Sequence, residues 1–157
     1  YAFNYGTNLV KIPGLDGSGK MGKSEGEGNA IFLADSPEAI RKKVMRAVTD
    51  SGPTQENQTK PEVIENIFTL MKAVSTDETV RYFDEQYNGM KIRYGDLKKQ
   101  LAEDMILFTA PFREKILELS KDELFIQKIA RQGAEKARES GAATVREARK
   151  AIGIRSF

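Results

Sequence analysis

The 157-residue chain contains no cysteine and no histidine. The first absence excludes disulfides and thiolate metal sites. The second removes the commonest general base and the commonest metal ligand. No apolar run approaches the ~20 residues needed to span a bilayer, and no charged-then-apolar leader opens the chain. Internal repeats and low-complexity tracts are missing as well. A soluble, cytoplasmic protein without a membrane partner is the simplest expectation. The chain opens at Tyr1, not at a methionine, and is read as an interior piece of something larger.

Charge is nearly balanced overall, at +2, but unevenly placed. From Lys128 to Phe157 stand eight basic residues: Lys128, Arg131, Lys136, Arg138, Arg146, Arg149, Lys150 and Arg155. Only Glu135, Glu139 and Glu147 oppose them, a local balance of +5. Such a tail fits a polyanion partner. On charge alone the simpler reading is solvated helix faces on which lysines flank those glutamates in i,i+4 pairs.

Two textures divide the chain, at residues 1–35 and 36–157. The first is glycine-rich and lacks helical periodicity. Val10 with Ile12, and Ala30 to Leu33, are candidate strands on either side of a lysine-bearing loop. The second is helical. Ser36-Pro37-Glu38 supplies a hydroxyl cap, a proline at the first helical position and an acid in the first turn. Ile40, Val44 and Val48 follow at helical spacing until Gly52-Pro53. Pro61 and Glu62 open a second helix with Ile64, Ile67, Phe68 and Met71 on one face. Ser75 and Glu78 form a capping box for a third, which carries Phe83 and Tyr87 and ends at Asn88-Gly89. A fourth is expected from about Asp96 through Leu101, Met105 and Phe108, with Pro111 kinking or breaking it. Ser120 and Glu123 form another capping box, Gly141 interrupts, and Thr144 with Glu147 caps a last short helix to Ile152. Phe68, Phe83, Phe108 and Phe125 are read as core.

Chemistry concentrates in residues 17–24, Gly-Ser-Gly-Lys-Met-Gly-Lys-Ser. Gly17, Gly22, Lys23 and Ser24 satisfy the phosphate-binding pattern G-x-x-x-x-G-K-[ST]. A P-loop, however, runs from a strand directly into a helix whose free N–H groups hold the phosphates. Here Glu25-Gly26-Glu27-Gly28-Asn29 follows. Each glycine costs a helix ~1 kcal/mol relative to alanine, and two carboxylates would repel the ligand. The apolar run Ile31–Leu33 ending at Asp35 comes too soon for a parallel crossover. The other reading is a mobile loop, Gly17 to Asn29, anchored by no apolar side chain except Met21. Its two lysines would present positive charge to an anionic ligand.

Lys20-Met21-Gly22-Lys23-Ser24 resembles the Lys-Met-Ser-Lys-Ser signature of class I aminoacyl-tRNA synthetases. From Leu15 onward the chain is similar to the C-terminal part of bacterial tryptophanyl-tRNA synthetases. The resemblance is carried by Asp16, by Ala47-Val48-Thr49-Asp50-Ser51, by Tyr87-Asn88-Gly89, by Tyr94-Gly95-Asp96-Leu97-Lys98 and by Gly133-Ala134-Glu135-Lys136-Ala137. The last of these speaks against the tyrosine-specific sister family. Gly22 departs from the signature, which has serine there, removing a hydroxyl and adding backbone freedom.

The resemblance implies a mainly α fold: a helical anticodon-binding bundle over 36–157, with a short remnant of an α/β Rossmann catalytic core over 1–35. It implies Lys20 and Lys23 as catalytic lysines. ATP would be bound by Ile12, near the adenine, and by Lys20, Met21, Gly22, Lys23 and Ser24, with Mg2+ accompanying the ATP and no metal ligands in this chain. It implies tRNA(Trp) as partner, L-tryptophan bound by a part upstream, and a homodimeric parent. Without a His-x-Gly-His element the chain alone is expected to be inactive. A P-loop NTPase piece and a non-catalytic helical RNA-binding module are the alternatives.

Overall fold

The computed structural model describes residues 12–154 apart from 18, 23, 25 and 27. Five helices follow one another: α1 (Pro37–Met45), α2 (Glu62–Val74), α3 (Asp77–Asn88), α4 (Tyr94–Leu119) and α5 (Glu123–Ala151). The fold is thus mainly α, as expected. No strand occurs among the described residues. The candidate strand at Ala30–Leu33 is irregular instead, and of the Val10–Ile12 piece only Ile12 is described, without strand pairing. The reason is visible in the backbone partners. The Ile31 N–H meets the Met21 sulfur at 3.4 Å, the Phe32 N–H donates to the Asp35 carboxylate at 2.9 Å, and the Ala30 carbonyl accepts from Lys43 at 3.0 Å. Side chains take the bonds a neighbouring strand would have made.

The chain forms two compact units, 1–113 and 114–157. In the first, α1 to α4 bury one apolar face each. Ile40, Val44, Ile64, Met71, Tyr87 and Leu101 are fully enclosed. Leu15, from the glycine-rich stretch, joins the same core at 4% exposure. The Phe68 and Tyr87 rings meet edge-on at 6.4 Å. Lys60 lies 4.8 Å from the Phe68 centroid and 4.9 Å from that of Tyr87 while its ammonium pairs with Asp84 at 2.6 Å.

Caps decide where the helices begin, with corrections to two expectations. Ser36 caps α1 as read, its hydroxyl accepting from the Ala39 N–H at 3.2 Å. Thr76, not Ser75, caps α3; Ser75 terminates α2, and its hydroxyl is buried without a partner among the described residues. Asp122, not Ser120, caps α5, accepting from the Phe125 N–H at 2.9 Å. In the last case a carboxylate adjacent to the helix outcompetes a hydroxyl two residues further out, as the charge on the helix dipole favours.

Helix interiors also differ from the reading. α1 stops at Met45, and Val48 is exposed because its N–H leaves the helix to donate to the Leu15 carbonyl at 3.0 Å. Pro111 neither ends nor interrupts α4. Gly141 does not divide α5, which is one helix of 29 residues. Continuing an existing helix adds one bond per residue, so one glycine is tolerated. Phe108 and Phe125 are exposed, not core, whereas Phe68 and Phe83 are buried as read.

In the second unit α5 has no buried residue. Leu124, Phe125, Ile126 and Ile129 stand exposed on it. So do Lys128, Arg131, Lys136, Arg138, Arg146, Arg149 and Lys150; Arg155 lies outside the described residues. Among the described residues, none of these seven cations forms an ion pair with Glu135, Glu139 or Glu147.

Candidate nucleotide-phosphate site

The glycine-rich stretch enters as Ile12-Pro13-Gly14 and leaves as Asn29-Ala30-Ile31. These two strips are bonded to each other. The Leu15 N–H donates to the Asn29 carbonyl at 3.1 Å. The Asp16 N–H donates to the Asn29 side-chain oxygen at 3.0 Å. Asn29 is only 3% exposed. It fits because position 14 is glycine: a Cβ there would lie 2.2 to 2.7 Å from the Asn29 side chain. Gly17 turns the chain outward at φ +81, and a Cβ on it would stand 3.0 Å from Val63.

Met21 makes the second attachment. Its N–H donates to the Ile12 carbonyl at 2.8 Å, and its sulfur accepts from the Ile31 N–H. Ile12, Met21 and Ile31 line one side of an apolar cavity of about 300 Å³, with Leu70, Val74 and Met105 among the residues opposite. The expected site residues therefore separate. Ile12 and Met21 come together and pack against the helical core. Lys20 and Ser24 are exposed, and Gly22 is half-buried. Lys23 lies outside the described residues. Lys20 has no hydrogen-bond or ion-pair partner among the described residues, so its ammonium is available to an anion.

The P-loop alternative fails on this geometry. The first α-helix among the described residues begins at Pro37, so the loop does not run directly into a helix as a P-loop does. Nor do the described residues hold three or more grouped acids that would grip a cation themselves.

Behind the loop lies a polar cluster that sequence reading used only as a family marker. The Leu15 carbonyl is bonded to Val48, within Ala47-Val48-Thr49-Asp50-Ser51. Asp50 accepts from the Tyr94 hydroxyl at 2.6 Å and from the Gly52 N–H at 2.9 Å. Thr49 accepts from the Lys98 ammonium at 3.2 Å. Burial and then the bond to Asp50 hold the Tyr94 hydroxyl well above the usual phenol range. Burial and then the Asp50 charge raise Tyr87. Burial alone lowers Lys98. The cluster ties the exit of α1 to the start of α4.

Asn29 and Gly14 were missed entirely. The usable signal was an asparagine closing a glycine-rich loop just before an apolar run, with a glycine on the other side of the loop.

Residues 6–110 match the family model described as tRNA synthetases class I (W and Y). The chain is 57% identical over 154 residues to the tryptophan–tRNA ligase of Porphyromonas gingivalis, covering 98% of this chain and 46% of that protein. It is 41% identical over 138 residues to tryptophan–tRNA ligase 1 of Streptomyces coelicolor, covering 86% and 39%. The crystal structure of tryptophanyl-tRNA synthetase from Campylobacter jejuni complexed with ADP and tryptophane superposes with a TM-score of 0.69 at 26% identity, over 94% of this chain and 45% of that one. The chain thus spans less than half the length of the curated relatives it matches. With the family model matching well over half of its residues, the chain belongs to the class I tRNA synthetases of the tryptophan and tyrosine type.

Proposed function

We propose that this chain is the C-terminal part of a tryptophan–tRNA ligase. In the parent reaction a carboxylate oxygen of L-tryptophan attacks the α-phosphorus of ATP and pyrophosphate leaves. The terminal ribose hydroxyl of tRNA(Trp) then takes the aminoacyl group and AMP departs. ATP, with Mg2+ on its phosphates, supplies the leaving group. Residues 1–35 contribute the signature loop, and 36–157 the helical domain that binds tRNA. Lys20 and Lys23 neutralise charge as pyrophosphate forms, and Ser24 bonds a phosphate oxygen. Ile12 lines the adenine side. Tryptophan is held by a part outside this chain, and the parent is a cytoplasmic homodimer.

The observation that carries this reading is the 57% identity to a tryptophan–tRNA ligase across nearly the whole chain. It is supported by an exposed Lys20 on a glycine arc whose neck is fixed. The test is ATP–pyrophosphate exchange by the full-length protein with tryptophan or tyrosine as the amino acid. Exchange with tryptophan alone is expected. Exchange with tyrosine, or tRNA binding without any exchange, would defeat the reading.

A further inference from the structure

We propose that Asn29 is the positioning residue of the signature loop, seated in a notch that Gly14 leaves open, and that it sets where Lys20 is presented. The inference rests on the phosphate-binding reading of the loop.

Among the described residues, at least three bonds converge on Asn29. Its side-chain oxygen accepts from Asp16, its carbonyl accepts from Leu15, and its own N–H donates to Gly26 at 3.1 Å. The first two fasten the exit of the arc to its entrance, the side-chain bond across 13 residues of sequence separation. The entrance is itself held, because Leu15 is buried in the core and its carbonyl is bonded to Val48 at the exit of α1. Asn29 therefore transmits the position of the helical core to the arc's far end. Lys20 stands between these attachments and makes none of its own. An exposed lysine on a glycine-rich arc has many orientations to lose, and fixing both ends of the arc removes most of them before a ligand arrives. The first of these bonds is made by the buried side-chain amide, and a buried acceptor of that kind is costly to lose.

Position 14 gives an independent handle. A methyl there would occupy the space of the Asn29 side chain, at 2.2 to 2.7 Å from its amide atoms. Gly14→Ala should expel Asn29 from the notch, whereas Asn29→Ala should empty it. The two lesions act on one contact, so they should not add.

In the full-length enzyme, Asn29→Ala and Gly14→Ala are each expected to lower kcat of ATP–pyrophosphate exchange roughly ten- to a hundredfold, as small misplacements of a catalytic group do. The KM for tryptophan should stay unchanged. The double variant should be no slower than Asn29→Ala alone. Asn29→Asp, which keeps the oxygen that accepts from Asp16, should recover most of the rate. Lys20→Ala is measured alongside. A slow Lys20→Ala with Asn29→Ala within twofold of wild type would overturn the positioning role and leave the loop reading standing. So would a change confined to the melting temperature, or additive losses in the double variant. A Lys20→Ala enzyme as fast as wild type would overturn the loop reading and this inference with it. Should Asn29→Ala not fold, Gly14→Ala must carry the same kcat loss at unchanged tryptophan KM, and failure to do so overturns the proposal.

Discussion

Lys20 differs from the lysines held at the core in what surrounds it. Lys43 is held by Asp35 at 2.7 Å, and Lys60 by Asp84. Lys98 is buried against Thr49. Lys20 stands exposed with no such partner among the described residues. A cation kept unpaired on a glycine arc suits a ligand that brings its own negative charge. Lys20→Ala and Lys23→Ala should each reduce exchange by the full-length enzyme by ~10²–10³, the usual cost of one preorganised charge donor, with an unchanged circular-dichroism melt. A backbone effect belongs at this scale too. Gly17 adopts φ +81 beside Val63, and forcing a side chain into the left-handed region costs roughly 1–2 kcal/mol. Gly17→Ala should therefore lower urea stability by about that amount, measured as a shift in midpoint at constant slope.

Whole elements were legible where one local rule dominated. Ser36-Pro37-Glu38 specified the start of α1, and the apolar face of α2 was visible in its spacing. Elements misread were those where two rules competed. Val48 continued the four-residue repeat of α1, but a tertiary bond to Leu15 drew its backbone away. Ala30–Leu33 had the composition of a strand, but Met21, Asp35 and Lys43 took its hydrogen bonds. At the site, residue types were readable and contacts were not. Lys20 and Ser24 follow from a motif, whereas the fit of Asn29 against Gly14 exists only once the chain has folded back. The same holds for the link from Asp50 to Tyr94, which joins positions 44 residues apart.

That link makes an element-level prediction. Tyr94 has its folded-state pKa raised, so its contribution to stability is complete below the unfolded phenol value of about 10. The contribution is lost as pH climbs above that value toward the folded one, because the unfolded chain ionises first. Tyr87 acts in the same sense. Lys98, lowered by burial, acts oppositely: the penalty for burying its charge is relieved as pH rises through its folded value. Tyr94→Phe should cost about 1–3 kcal/mol near pH 7, where a hydrogen bond to a charged partner is lost. The gap between the wild-type and Tyr94→Phe melting curves should narrow above about pH 10. A gap that stayed constant to pH 11 would contradict the assigned environment.

At the scale of the molecule, charge is segregated onto one helix. The seven described cations of the basic tail lie on α5, which buries nothing and pairs none of them with its own glutamates among the described residues. Intrahelical pairs of that kind would each contribute only about 0.3–0.5 kcal/mol, so their absence costs little stability. It leaves the cations open to phosphate. A groove on α5 is lined by Ala143, Arg146, Glu147 and Lys150, which gathers two of those charges in one place. If α5 meets the tRNA backbone, each phosphate contact releases condensed counterions, and affinity falls steeply with salt. Changing Arg146 and Arg149 together to Gln in the full-length protein should weaken tRNA binding and reduce the logarithmic salt slope by about one unit per lost contact. The preference for one tRNA over another should survive, because phosphate contacts position a nucleic acid without reading its bases. Titrating wild type and the double variant against cognate and non-cognate tRNA across a salt series measures both quantities. Equal affinities and equal slopes would make α5 a solvated surface and no part of the tRNA interface.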